Sequence, residues 1–251
     1  VTYQKMTHTQ LRADKMGIPI IYLVDSAGAR LDEQQYCYAG RNAMGNIFHN
    51  QIQISGRVPQ ICVLFGPSPA GSAYVPALCD ITIMVDKNVS AYLGSPRMAG
   101  MVIGEKVTLE QMGGARMHCV QSGLGDALVE NDIEALDFAR KYLTLFPQNW
   151  QEHPNLTEPC EPIDGRDIEE IVPVEQGTPY DTYELINRLI DEGSWVEIKA
   201  LFAQELITGL ARIGGRSIGI VANHSKVKGG VIFVDSSDKA ARFIWMCNAF
   251  N

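Results

Sequence analysis

Residues 59–80, PQICVLFGPSPAGSAYVPALCD, decide how the rest of the chain is read. Residues 60–65 are a short apolar run, the length of a buried strand. Gly66, Pro67, Ser68 and Pro69 break the run. Ala70, Gly71, Ser72 and Ala73 then open a segment of small side chains, with Leu78 and Cys79 at its far end. The pattern predicts a strand, a tight loop and a helix. Small side chains at a helix start let another molecule approach the main chain, and the free N–H groups there, at the positive end of the helix dipole, favour an anion. Ala70 and Gly71 are therefore candidate N–H donors to a developing oxyanion. The same pattern also serves close helix packing. It is not a nucleophile elbow, because Gly-x-Ser-x-Gly around Ser68 needs glycine where Ala70 stands.

Upstream, residues 7–16 have a helix-forming composition that stops at Gly17, and 18–24 read as a β-branched strand. That strand runs into Asp25, Ser26, Ala27, Gly28, Ala29 and Arg30, a second strand followed by a small-residue turn. Ligands in α/β sheets sit at the carboxyl ends of strands, so the two loops are expected to converge on one pocket. Arg30 is a candidate phosphate ligand, with an ion pair to Asp32 or Glu33 as the alternative. Residues 42–55 read as a helix with Met44, Ile47, Phe48 and Ile52 on one face, and His49 on it reads as structural rather than catalytic.

Downstream, 81–85 and 89–93 read as strands, the second ended by Gly94, Ser95 and Pro96. Residues 100–105 read as a turn and 107–112 as a short helix. Glycines 113, 114, 123 and 125 bracket His118, a candidate acid or base with no carboxylate or nucleophile at a suggestive spacing. Asn131 or Asp132 can cap a helix carrying Ile133, Leu136, Leu143 and Phe146 at helical spacing. Residues 147–179, rich in proline and acidic side chains and without a period, read as a linker laid over the surface. Asp181 with Glu184 starts a further helix on a capping-box-like pattern, with Leu185, Ile186, Leu189 and Ile190 apolar and Gly193 as the stop. Residues 207–213 and 216–222 flank Gly214 and Gly215, a hairpin signal. Ser236 or Ser237 caps a last helix over 238–250. The first helix feeds a strand at once, so an internal repeat would place a strand and a small-residue turn after Asn251.

Bulk properties narrow the classes. The length of 251 residues fits one large domain or two small ones. A net charge of −8 argues against a general nucleic-acid binder while leaving room for a local phosphate site. The six cysteines form no C-x-x-C pair, so no metal is expected, and a reducing compartment fits best. Apolar runs are too short for a spanning helix, no signal peptide is visible, and the chain begins with Val1 inside an expected helix, as a fragment would.

Five stretches carry a resemblance: IPIIYLVDSAGARL from residue 18, GRVPQICVLFGPSPAGSAYVPALCD from 56, GEKVTLEQMGGARMHCVQSGLGD from 104, PYDTYELINRLIDEG from 179 and GRSIGIVANHSKVKGGVIFVDSSDKAARFIWMCNAFN from 215. Taken in order they resemble the β-type carboxyltransferase subunits of biotin-dependent acyl-CoA carboxylases. The propionyl-CoA, methylcrotonyl-CoA and related long-chain or acetyl-CoA enzymes are nearest. The resemblance implies an α/β, crotonase-like (ClpP/crotonase) fold, a spiral of ββα units with two such domains in the full subunit. Residues 1–146 would then be the N-terminal carboxyltransferase domain with its start missing, 147–179 the linker, and 180–251 the truncated beginning of the C-terminal domain.

By the same resemblance the activity would move CO₂ from carboxybiotin, carried on a partner carrier domain, to the α-carbon of an acyl-CoA. Deprotonating that carbon throws charge onto the thioester oxygen. The expected donors are Gly71 with Ala70, or a second N–H from Gly28 or Ala29. Ala27, Arg30, Ser72 and Tyr74 would line the acyl-CoA pocket. A biotin nitrogen would act as base, which accounts for the lack of an obvious catalytic side chain. The family usually has Gly-Gly or Ala-Gly-Gly-Ala in the central loop, and Ser-Gly-Gly where this chain has Ser26, Ala27 and Gly28. The alanine and serine replacements keep every backbone N–H and narrow the space above it. Implied partners are a biotin carboxylase and biotin carboxyl carrier subunit and further carboxyltransferase copies in a homo- or hetero-oligomer, with no nucleic acid. The implied compartment is the bacterial cytoplasm, ahead of a mitochondrial matrix. Alternatives are the carboxyltransferase subunit of a sodium-pumping acyl-CoA decarboxylase, or a non-catalytic homologous subunit.

Overall fold

The structure is a computed structural model that describes residues 2–37, 43–163, 165–175 and 177–251. The chain forms two compact units, one of residues 1–139, 148–151 and 250, the other of residues 140–147, 152–249 and 251.

The first unit is built on a parallel sheet in the order β1 (Ile20–Val24), β2 (Gln60–Leu64), β4 (Ile81–Val85), β6 (Ala127–Val129). Ile20 pairs with Gln60, Ile61 with Ile81, and Ile83 with Ala127. Every residue of β2 and β4 is buried, so both read as unbroken apolar runs. The edge strand β1 alternates instead, with Ile21 and Leu23 exposed. A second, two-stranded parallel sheet pairs β3 (Pro67–Pro69) with β5 (Ser90–Tyr92). Parallel neighbours need crossovers, and the helices Gly45–Ile54 and Tyr74–Ala77 lie in those between β1 and β2 and between β2 and β4.

A buried polar chain runs behind this sheet. Gln10 Nε2 donates to the Tyr22 hydroxyl and to the Ile47 carbonyl, both at 3.1 Å. The Tyr22 hydroxyl donates to Gln60 Oε1 at 3.2 Å. Gln60 Nε2 donates to the Gln51 carbonyl at 2.9 Å, and Gln51 Nε2 to the Val75 carbonyl at 3.0 Å. Gln10, Gln51 and Gln60 are fully buried, so a lost partner leaves an orphaned polar group costing about 1–3 kcal/mol. Burial pushes the Tyr22 hydroxyl well above its usual pKa, which keeps it a donor. The Gln51 contact holds the backbone just past the small-residue turn.

The second unit centres on an antiparallel sheet of β7 (Val196–Ile198), β8 (Leu206–Ile213) and β9 (Arg216–Asn223). Gly214 and Gly215 close the β8–β9 hairpin with φ of +56° and +77°, the double positive φ a two-residue turn needs. Asp191 fixes that turn: its carboxylate accepts the Gly214 N–H at 2.8 Å and the Gly215 N–H at 2.7 Å. Ile186, Ile190, Ile207 and Ala211 form the core beneath, with Trp195 packed against it. A Cβ on Gly209 would stand 2.3 Å from the Trp195 ring, so only glycine admits the indole there.

Several elements differ from the sequence reading. The expected helix after Ala70 is one 3-10 turn, Ala70–Ala73, and one α-turn, Tyr74–Ala77. It is too short for a helix dipole to accumulate. Residues 67–69, read as a break, pair as β3 because prolines tolerate an edge strand. Residues 94–105 hold a helix, Pro96–Val102, rather than a strand end and a turn: Ser95 caps it by accepting the Met98 N–H at 3.3 Å and Pro96 takes its first position. On the helix Asp132–Leu143 the buried residues include Ala135, Ala139 and Tyr142, and Ile133 is exposed. The last helix begins at Val234, and Ser236 reaches back to accept the Phe233 N–H at 2.7 Å from inside its first turn. The stretch 147–179 carries a short helix, Ile168–Ile171, and Thr157 N–H donates to the Gly215 carbonyl at 3.1 Å. The start of the helix expected at 42 lies outside the described residues.

Candidate functional site

The loops at the carboxyl ends of β1 and β2 lie side by side. Ser26 N–H donates to the Pro67 carbonyl at 2.8 Å, which prolongs the β1–β2 pairing beyond the sheet. A Cβ on Gly66 would fall 2.4 Å from Asp25 Oδ1, so glycine lets the Asp25 carboxyl lie against the second loop. Gly28, with φ +86°, sits where its Cβ would be 3.7 Å from Pro69 Cγ. The turn Ala70–Ala73 is thus presented beside residues 25–30, with Ala70 exposed and Gly71 partly so.

Backbone donors divide within this turn. Pro69 pairs with Tyr92 in the β3–β5 ladder. Proline has no N–H to give. Ala70 and Gly71 are the first two residues of the helical turn that follows, where an N–H has no intrahelical acceptor. A Cβ on Gly71 would make only ordinary contacts, with Met44 Cε at 3.8 Å and Phe48 Cζ at 3.9 Å.

The other residues singled out by sequence fall around it. Gly28 N–H donates to Ser26 Oγ at 3.1 Å, which leaves Ala29 as the neighbouring amide. Ser72 Oγ donates to the Pro69 carbonyl at 2.6 Å and closes the turn locally. Arg30 lies 4.0 Å from Glu33, with both side chains largely exposed. Ala27 is exposed in the same loop. The half-exposed Tyr74 meets Phe48 edge to face with ring centres 5.5 Å apart. His49 is exposed on the helix Gly45–Ile54. His118 is buried, with both ring nitrogens engaged.

Ala70 carries a φ of +52°. An L-residue there costs about 1–2 kcal/mol, which glycine avoids. Ala70→Gly is expected to stabilise the protein by about 0.5–1 kcal/mol, net of the extra chain entropy of glycine. Urea unfolding checks this. A fall in the midpoint would mean that the turn does not hold a left-handed residue.

A cleft of about 380 Å³ in the second unit is a different kind of feature. Its Arg212 donates to the carbonyls of Asn155, Gly215 and Thr144, its Lys141 to the carbonyl of Trp195, and its Asp191 accepts the hairpin amides. Those charges hold the chain's own backbone. Among the described residues no cluster of three or more His, Cys, Asp or Glu side chains is placed to hold a metal, and no helix is long and apolar enough to cross a membrane.

The parallel sheet thus presents, at its strand ends, a turn of small residues with its main chain accessible. The chain belongs to the carboxyl transferase family: all of residues 1–251 match the Carboxyl transferase domain. It is 57% identical over 251 residues to the uncharacterized carboxylase YngE of Bacillus subtilis, covering 100% of this chain and 49% of that one. It is 37% identical over 250 residues to the carboxyltransferase subunit of propionyl-CoA carboxylase from Haloferax mediterranei, covering 99% of this chain and 48% of the relative. Its structure is similar to that of transcarboxylase 12S, solved as a hexamer assembly with methylmalonyl-coenzyme A and methylmalonic acid bound. There the TM-score is 0.92 at 35% identity, with 99% of this chain and 48% of that chain covered. The α/β fold is crotonase-like, as the sequence resemblance implied. The chain spans about half the length of the curated relatives it matches.

Sequence reasoning had no means of finding Gln51. Its carboxamide braces the Val75 carbonyl from 24 residues away, and no local pattern marks such a contact.

Proposed function

We propose that this chain is part of the carboxyltransferase component of a biotin-dependent acyl-CoA carboxylase, transferring CO₂ to the α-carbon of an acyl-CoA through a thioester enolate. The observation that carries the reading is the small-residue turn Ala70–Ala73 at the strand ends, whose second residue, Gly71, has an N–H with no intrahelical acceptor. That donor suits the thioester oxygen, where charge gathers as the α-proton leaves. Ala29 is the second candidate donor, Gly28 lets the two loops approach, and Ala27, Arg30, Ser72 and Tyr74 border the space for the acyl-CoA. Carboxybiotin, when bound, supplies the CO₂ and a ring nitrogen that accepts the α-proton. The protein's own work is then to hold the thioester carbonyl against Gly71 and to keep its enolate from water.

Residues 1–146 would act as the N-terminal carboxyltransferase domain, 147–179 as its linker, and 180–251 as the opening of the C-terminal domain. The partners would be a biotin carboxylase and a biotin carboxyl carrier subunit, within an oligomer of carboxyltransferase subunits. All six cysteines are free, which suits a reducing compartment, and we take it to be the bacterial cytoplasm. The test is acyl-CoA-dependent loss of carboxyl from carboxylated carrier protein, using the full-length protein and acyl-CoAs of increasing chain length. Absence of transfer to every acyl-CoA, with the protein folded, would exclude the activity.

A further inference from the structure

His118 has no part in the chemistry above, yet it is buried with both ring nitrogens engaged. It lies in a π-helical turn, His118–Ser122, that ends in Gly123 with φ +67°. Its Nε2 is 2.8 Å from the Ala91 carbonyl and its Nδ1 is 2.8 Å from Ser122 Oγ. A carbonyl oxygen only accepts, so Nε2 carries the proton, and in the neutral ring Nδ1 accepts from the Ser122 hydroxyl. Leu124 N–H donates to Ser122 Oγ at 3.3 Å and keeps that hydroxyl in place. The Ala91 carbonyl is also hemmed in from the other side: a Cβ on Gly113 would stand 2.5 Å from its oxygen. Ala91 is the middle residue of β5, opposite Ser68 of β3, and its neighbour Tyr92 pairs with Pro69, the residue just before the turn Ala70–Ala73.

We propose that His118 is a positioning residue for the Gly71 amide. It pins the Ala91 carbonyl and so fixes β5. β5 fixes β3 through their short ladder, and β3 leads directly into the turn that presents the Gly71 N–H. A three-residue strand pair is marginal; the Ser26 N–H on the Pro67 carbonyl and the Ser90–Gly114 bridge hold its near end, and the His118 clamp on Ala91 adds a tether next to the turn. The inference rests on the reading of Gly71 as the oxyanion donor.

The experiment uses the full-length protein with His118→Ala, His118→Gln and Gly113→Ala. Two quantities are measured: hydrogen exchange of peptides covering 66–78, and kcat and KM for acyl-CoA. His118→Ala is expected to speed exchange in 66–78 while leaving peptides from β2 and β8 unchanged, and to lower kcat by about tenfold or more with KM within about threefold, the signature of an interaction that matters in the transition state. Glutamine can place an amide N–H near the Nε2 position, so His118→Gln is expected to restore kcat to within about threefold. Gly113→Ala displaces the same carbonyl without touching the imidazole and is expected to reproduce the His118→Ala pattern, which keeps the test decisive even if His118→Ala fails to fold. Unchanged exchange in 66–78 for both His118→Ala and Gly113→Ala overturns the proposal. So does a loss of activity carried in KM alone. Faster exchange with undiminished kcat upholds the tether and refutes the Gly71 reading on which its catalytic value depends.

Discussion

Replacing Gly71 by proline in the full-length protein is expected to lower kcat by about 10²–10³-fold, the effect of deleting one oxyanion donor. Proline removes the N–H and leaves the rest of the turn's composition alone. The companion variant Gly71→Ala keeps the N–H, and its Cβ would make only ordinary contacts with Met44 and Phe48. It is expected to retain activity within a few-fold. The pair separates the donor from the space around it, because bulk enters in both variants and the hydrogen is lost in only one. Melting midpoints are measured alongside. A proline variant that melts with the wild type and still turns over at full rate would place the oxyanion elsewhere, with Ala29 the next amide to examine.

Lys239→Met is expected to destabilise the protein by about 2–3 kcal/mol. Lys239 is almost fully buried in the helix Val234–Ala249, and its ammonium donates to the carbonyls of Phe202 at 2.8 Å, Ala203 at 3.4 Å and Leu206 at 2.6 Å. Those carbonyls belong to a tight stretch in which Lys199 and Ala203 both hold positive φ. Methionine has the right length and no donors, so it orphans all three at about 1–3 kcal/mol each, partly offset because no charge is then buried. Burial lowers the pKa of Lys239 from 10.5 to about 8, assisted by Lys199 and opposed by Glu197 and Glu205. Between these two values the unfolded chain holds a proton that the native chain has released, so this group makes wild-type stability rise with pH from about 8 to 10.5 and contributes no slope below. Urea midpoints on either side of that window check both points. A variant as stable as the wild type, or one that keeps the same rise, would show that the ammonium does not cap those carbonyls.

Much of the fold was legible because its signals are local. The runs at 20–24, 60–64 and 81–85 are apolar over the length of a strand, and each forms one within a residue or two of its expected limits. Asn131 accepts the Ile133 and Glu134 amides at 3.1 and 3.0 Å as its position before a helix suggested. Gly214 and Gly215 close their hairpin because positive φ at two successive residues is a property of the residues themselves. Misreadings came where one residue type serves two ends. Ser95 and Pro96 were read as closing a strand when they open a helix, since the same pair satisfies either backbone. Residues 67–69 looked like a break because proline weakens a strand, and only the partner β5 makes them one.

The small-residue turn shows where the line falls. Composition alone located it, since Ala70, Gly71 and Ser72 after a buried strand leave the main chain accessible, and their amides follow from the covalent chain. What the turn is tied to was set elsewhere: by the pairing of Pro69 with Tyr92 and by the Ser26 N–H on the Pro67 carbonyl. Sequence by itself determined the central strands at 20–24, 60–64 and 81–85, the Asn131 cap, the hairpin and the run of small residues after β2, because each depends on side-chain size, branching or hydrogen-bonding within a few residues. Tertiary structure alone decided which N–H groups are left over, because a donor's availability depends on whether some distant carbonyl has already taken it.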